Sequence, residues 1–217
     1  MSCYLTEPLA RSALRRMQNF YSELESLYIR HDLVVNEDMG RRNILMSSLQ
    51  EKYFALALNE VYPGTYANGK TGEPDIMIPI LDRELECKLT SRNRSGSWAL
   101  QCDYNTLRRK GALDHLYVLA SDDFTSFAVL FFEGLTIDDF HTPSPGSKGK
   151  ARLRWTSALS KCTTVIGETN DKSKQFLFDA NRTLENPAST AGAKSQAAAR
   201  IDYWNSRTNI SFCLEQI

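Results

Sequence analysis

No stretch of this 217-residue chain approaches the roughly 18 consecutive apolar residues of a membrane-spanning helix, which argues against a membrane protein. The first residues, Met-Ser-Cys-Tyr-Leu-Thr-Glu-Pro, lack the basic and apolar regions of a signal peptide. Five cysteines, Cys3, Cys87, Cys102, Cys162 and Cys213, are odd in number and have no metal-ligand spacing. A reduced, cytosolic protein is therefore expected. Net charge is missing too: 26 basic and 26 acidic side chains cancel, so the chain exerts no global attraction on nucleic acid. There is no Walker-type glycine-rich loop, no zinc-finger spacing and no internal repeat. His115 and His141 read as structural or loop histidines.

What is present suits one globular domain, with 42% hydrophobic and 24% charged residues. Three parts are expected: a helical region over 1–62, a sheet core over 63–141, and a C-terminal part over 142–217 as a candidate for further DNA contact. Leu9 is followed by Leu14, Met17, Phe20, Tyr21, Leu24, Leu27 and Tyr28, which from Leu14 on recur at steps of three and four, predicting a helix from Glu7 to Ile29. A second helix is expected from about Ile44 to Val61, with Leu45, Leu49, Tyr53, Leu56 and Ala57 on its apolar stripe and a stop at Pro63-Gly64. His115 to Ala120 reads as a buried central strand and Phe127 to Phe132 as its partner. Thr142 to Lys150 reads as a mobile loop. Ala151 to Val165 fits strand or helix, and Asn186 to Arg200 suggests a helix rich in small side chains.

The most informative segment is 74–88, Pro-Asp-Ile-Met-Ile-Pro-Ile-Leu-Asp-Arg-Glu-Leu-Glu-Cys-Lys. Ile76 to Ile80 and Leu85 to Leu89 form two short β-prone runs joined by a tight connection. If residues 79–82 make the turn, Ile76 faces Leu85, Met77 faces Glu84, and Asp75 lies opposite Glu86. Directly opposed residues share a face, with Cβ atoms about 4.5–5.5 Å apart. Glu86 and Lys88, two apart on a strand, share that face as well, leaving Leu85, Cys87 and Leu89 to the other. A slip of one residue would separate the acids. Two carboxylates so close repel unless a cation lies between them, and hard oxygen ligands without histidine or thiolate select Mg²⁺ or Mn²⁺. Such an ion polarises a phosphate and lowers the pKa of a bound water. Lys88 holds or activates that water and offsets developing negative charge. The backbone carbonyl of Cys87 is an additional candidate ligand. Charges inside an otherwise apolar strand are costly to bury without a purpose, which favours a catalytic reading of Glu86 and Lys88.

Pro74-Asp75, the ten intervening residues and Glu86-Cys87-Lys88 resemble the signature of the PD-(D/E)XK nuclease superfamily, typified by type II restriction endonucleases. The order of elements, a helix, the hairpin, a helix and further strands, also resembles that family's core. The resemblance implies an α/β or α+β fold with a restriction-endonuclease-like central mixed sheet flanked by helices. It further implies Mg²⁺-dependent hydrolysis that leaves 5′-phosphate and 3′-hydroxyl ends. In many such nucleases a glutamate on the helix before the hairpin reaches the metal, which makes Glu51 the candidate third acid.

Beyond the hairpin, Ser-Arg-Asn-Arg-Ser-Gly leaves the catalytic strand directly, and Arg92, Asn93 and Arg94 are candidate DNA contacts, since arginine forks onto phosphate or guanine and asparagine onto adenine. Residues 98–110 are expected to be helical, with Gln101 and Tyr104 on one face. That pair is similar to a glutamine-tyrosine pair of some exonucleases in the superfamily, one residue short in spacing, and makes Gln101 another candidate contact.

The expected function is endonucleolytic cleavage of double-stranded DNA as a sequence-specific type II restriction endonuclease. A two-fold homodimer would place one site on each strand. The expected compartment is the cytoplasm, for a prokaryotic or phage-encoded protein. The rival expectations are a structure-selective nuclease, such as a junction resolvase or phage recombination nuclease, a non-catalytic DNA-binding module on the same scaffold, and a partner-binding protein with an accidental motif.

Overall fold

A computed structural model describes residues 3–93, 95–205 and 207–217. Its elements in chain order are α1 (Glu7–Arg30), α2 (Met39–Asn59), β1 (Tyr66–Ala67), β2 (Ile76–Ile78), β3 (Arg83–Thr90), β4 (Gln101–Asp103), α3 (Tyr104–Lys110), β5 (Ala112–Ala120), β6 (Ser126–Thr136), β7 (Lys150–Arg152), α4 (Trp155–Ala158), β8 (Cys162–Ile166), β9 (Glu168–Asp171), α5 (Lys172–Glu185), α6 (Ala191–Asn205), β10 (Ile210–Cys213) and β11 (Glu215–Gln216). The chain divides into two compact units, one of Met1–Gly167 with Leu214–Ile217, the other of Glu168–Cys213.

The larger unit is built on a mixed, mostly antiparallel sheet in the order β1-β2-β3-β5-β6-β11, with β8 also paired to β6. Strands β3 and β5 run parallel, Glu86 beside His115 and Lys88 beside Tyr117. A parallel pair needs a crossover between its strands, and the chain supplies one through β4 and α3. Helices α1 and α2 cover one face of the sheet. Leu14 and Met17 of α1 and Phe54 and Leu58 of α2 bury themselves against Leu85, Leu116, Val118 and Phe131. Each such fully buried side chain contributes about 1.5–3 kcal/mol. The opposite face, carrying Tyr117 and Phe132, is covered by the segments around β4, Phe140 and Trp155.

The smaller unit pairs β9 with β10 and packs α5 on α6, where the Phe176 and Trp204 rings stack at 5.0 Å. Asp171 caps α5 by accepting from the Ser173 N–H. Among the described residues no helix is long and apolar enough to cross a membrane.

Helix α1 matches the expected segment almost to the residue, whereas α2 starts five residues earlier than expected. Asp38 sets that start by accepting from the Gly40 and Arg41 N–H groups at 2.9 and 3.1 Å. The buried stripe of α2 is also different, consisting of Arg42, Met46, Gln50, Phe54, Ala57 and Leu58, while Leu45 and Leu56 remain 44% and 42% exposed. Shifting a stripe by one residue turns a helix about 100°, and the packing against α1 and the sheet decides which orientation wins. The expected helix over 98–110 is corrected to a strand followed by a shorter helix. Gln101–Asp103 pairs with β7, and Asp103 then caps α3 by accepting from the Thr106 N–H at 2.9 Å. Gln101 and Tyr104 therefore do not share a helical face.

Candidate active site

The hairpin register positions the site. Ile76 pairs with Leu85, Met77 with Glu84 and Ile78 with Arg83, as the alternation of the sequence predicts. The connection is a 3₁₀ turn over Pro79–Leu81 closed by Asp82 in the left-handed region at φ 50°. Continued by one residue, this register sets Asp75 against Glu86. Asp75 lies just before β2, where its carbonyl accepts from the Asn68 N–H at 2.8 Å. Its side chain turns to β3, and Oδ2 accepts from the Cys87 N–H at 2.7 Å. A carboxylate thus takes over where the backbone ladder of the hairpin ends, and this bond fixes its direction.

The side chain of Glu86 is 9% exposed, and Lys88 Nζ lies 2.5 Å from its Oε1 and 3.9 Å from Asp75 Oδ2. One ammonium thus serves two carboxylates. Burial pushes both acids above the ordinary carboxylate range against the pull of Lys88, and the Asp75 charge raises Glu86 further. Burial pulls Lys88 down, but Glu86 and Asp75 outweigh it and hold the ammonium above its ordinary value, so Lys88 stays protonated. Glu51, reaching from α2, is pushed up to about 7, first by burial and then by the charges of Asp75 and Glu86 against that of Lys88. The fold therefore brings Asp75, Glu86, Lys88 and Glu51 within electrostatic reach of one another. Three carboxylates facing one ammonium leave the cluster short of positive charge.

The donor chemistry fits a hard divalent cation. It offers carboxylate oxygens in excess of the local positive charge, and also a main-chain carbonyl, because a strand residue points its N–H and C=O to the same edge. The Cys87 N–H points to Asp75, so the Cys87 carbonyl faces the same side. Among the described residues no three His, Cys, Asp or Glu side chains already close around an ion, and the Lys88 ammonium stands between Asp75 and Glu86.

Two neighbours, Gln50 and Cys102, were not among the site residues expected from the sequence. Gln50, fully buried on α2 next to Glu51, donates a long hydrogen bond of 3.4 Å from Nε2 to the Lys88 carbonyl, while its Oε1 is buried without a partner. Its signal was a polar residue spaced four from both Met46 and Phe54. Cys102 on β4 has its thiol pushed up to about 12, first by burial, and senses Lys88 and Glu86, which sets β4 over the acidic face of the sheet. His115, beside Glu86, is buried and neutral. Burial lowers its imidazole to about 4, and Nδ1 hydrogen-bonds the Leu113 carbonyl at 3.0 Å.

The expected DNA contacts fare differently. Arg92 is exposed, its guanidinium 5.6 Å from the centre of the Trp98 ring. The Asn93 side chain is consumed by its own loop. Its Oδ1 accepts from the N–H groups of Ser95 and Ser97, both at 3.0 Å, and Nδ2 donates to Ser97 Oγ at 2.8 Å. Arg94 lies outside the described residues. Gln101 is half-buried on β4, and its carbonyl accepts from the Tyr117 hydroxyl at 3.0 Å.

Comparison with protein-family models, with curated proteins and with solved structures finds no match to this chain.

Proposed function

We propose that this chain is a Mg²⁺-dependent endonuclease of the PD-(D/E)XK kind, with a restriction-endonuclease-like core, that hydrolyses phosphodiester bonds of double-stranded DNA. Within that class the reading is a sequence-specific type II restriction endonuclease working as a homodimer, with Mn²⁺ able to replace Mg²⁺. One observation carries it: Asp75 and Glu86 share the ammonium of Lys88 at 3.9 and 2.5 Å, and Glu51 reaches from α2 close enough to feel the charges of all three. Groups perturbed by burial and by one another cluster at functional sites.

In this mechanism Asp75, Glu86 and the Cys87 carbonyl would hold the ion, with Glu51 as the candidate third acid. When bound, the ion supplies Lewis-acid polarisation of the scissile phosphate and charge neutralisation. Lys88, held protonated by its two acids, orients the attacking water through an N–H donor and stabilises the negative charge that builds on the phosphate oxygens. Glu51, which feels the charges of Asp75, Glu86 and Lys88 from α2, is the third acid of the set. Asp75 stays aimed through the Cys87 N–H, so it costs little reorganisation as charge develops.

Incubating the purified protein with supercoiled plasmid and Mg²⁺ tests the reading. Linear products that disappear when EDTA is added are expected, and discrete bands mark sequence specificity. Cutting confined to branched or single-stranded substrates would assign the protein to the structure-selective nucleases instead. No cleavage of any DNA with either Mg²⁺ or Mn²⁺ would refute it.

A further inference from the structure

A small cavity opens beside the segment that leaves β3, lined by Trp98, Trp155, Asn93, Leu100, Arg152 and Leu153. Its volume is about 170 Å³. At roughly 30 Å³ per water this is the room of about five or six waters, well below the roughly 300 Å³ at which pockets for drug-sized molecules begin. A single fused heterocycle is of that size, and a whole nucleotide is not.

The lining has the chemistry that takes a flat, aromatic, polar-edged ring. Trp98 and Trp155 are half-buried and contribute π surface, and the exposed Arg152 contributes hydrogen-bond donors to the lining. Arg92 adds a guanidinium over Trp98. The loop that carries Trp98 is held in shape from within, because Asn93 spends its amide on Ser95 and Ser97. Trp155 is braced from below by Phe132, their ring centres 5.8 Å apart.

Sheet register relates the cavity to the acids. Glu86 pairs with His115 and His115 with Phe132, so these three stand in a row across the sheet, and Trp155 packs on the last of them. Two strand spacings put Phe132 about 10 Å from Glu86. That is about three base steps at the 3.4 Å rise of one DNA strand.

We propose that this cavity receives a single nucleobase turned out of the strand that the acidic site cuts, stacked on Trp98 and Trp155 and met at its edge by Arg152. The inference rests on the nuclease reading for its substrate class, and its own content is a second, base-binding subsite remote from the scissile phosphate. Bases already unpaired would enter it most readily, since they need no unstacking from a duplex partner.

The test uses the unaltered protein in EDTA at low salt, with a short single-stranded oligodeoxyadenylate and an abasic oligomer of the same length. Anisotropy of labelled oligomers gives the affinities, and tryptophan emission reports stacking. Tighter binding of the oligodeoxyadenylate is expected, with quenching that the abasic oligomer does not produce. Trp98→Ala should weaken binding of the oligodeoxyadenylate by about tenfold, leave the abasic oligomer unaffected, and be largely rescued by Trp98→Phe, as stacking on an aromatic platform requires. Equal affinity of the unaltered protein for both oligomers overturns the proposal. So does an equal loss on both oligomers in Trp98→Ala, or no loss on either. Plasmid cleavage in Mg²⁺ separates the two readings. Cutting without base-dependent binding removes the subsite and keeps the nuclease, while base-dependent binding without cutting does the reverse.

Discussion

Lys88 meets Glu86 at 2.5 Å from two positions along the same strand, on the side facing away from α1 and α2. The contact follows from the two-residue period of β3, and everything that crowds it comes from further away in the chain.

On the proposed nuclease reading, Lys88→Ala should abolish hydrolysis while the protein stays folded and retains DNA, since that reading gives the ammonium a role at the phosphate and none in the core. A loss of at least about a hundredfold in turnover is expected, comparable to removing one preorganised donor from a site of developing negative charge. Asp75→Asn should do the same. Plasmid cleavage with matched circular dichroism and filter binding checks both, and undiminished cutting in Mg²⁺ by either variant would sink the assignment.

Binding of Mg²⁺ should stabilise the folded chain by about 2.7 kcal/mol at a hundredfold excess over its Kd. The combined Asp75→Asn, Glu86→Gln variant should lose this shift. Thermal melts with and without Mg²⁺ measure it without recourse to activity. A shift that survives in the double variant would place the ion elsewhere.

Acidity should act on Glu51 in a defined direction. Its carboxyl is near 4.5 when the chain is unfolded and about 7 when folded, so the folded state binds the extra proton. Stability from this group is fully present below about pH 4.5, declines as the pH rises to about 7, and is flat above. His115 acts the opposite way. Its imidazole, lowered to about 4 by burial, costs stability as the pH falls below about 6.5. The difference between the unaltered protein and Glu51→Gln isolates the glutamate. In EDTA the variant should be more stable above about pH 7 by on the order of 1 kcal/mol, after discounting for the partial exposure of the side chain, and the advantage should vanish near pH 4.5. Denaturant curves across this range decide it, and a pH-independent difference contradicts it.

Arg42 should prove one of the most sensitive positions outside the acidic cluster. Fully buried, it donates to the carbonyls of Ser121 and Asp122 at 3.1 and 2.6 Å and to Ser91 Oγ, and it lies 5.1 Å from the centre of the Phe124 ring. It ties α2 to the turn between β5 and β6 and to the point where the chain leaves β3. Arg42→Met should cost about 3–5 kcal/mol in urea denaturation by stranding buried acceptors. Arg42→Lys should not recover it, since an ammonium lacks the planar fork. A cost below about 1 kcal/mol for Arg42→Met would show that the acceptors find other partners.

The sequence by itself determined the hairpin. Strand alternation is local, so Glu86 and Lys88 share a face wherever the strand lies, and a turn over 79–82 admits the register that sets Asp75 against Glu86. It likewise determined α1 and the central strands, whose apolar patterns are long and regular. Tertiary structure alone decided the rest. Which side of α2 is buried depends on what α1 and the sheet present to it, so the buried stripe fell on Met46, Gln50 and Phe54 and left Leu45 exposed. The same packing brought Glu51 to Asp75 from 24 positions away in the chain and raised it to about 7. Asn93 turned inward because three nearby N–H and hydroxyl groups of its own loop compete for its amide. Strand 101–103 formed where a helix was expected because β7 offered an edge to pair with, and no local pattern announces such a partner. A backbone period is set residue by residue, whereas burial and charge are set by whatever the rest of the chain places alongside.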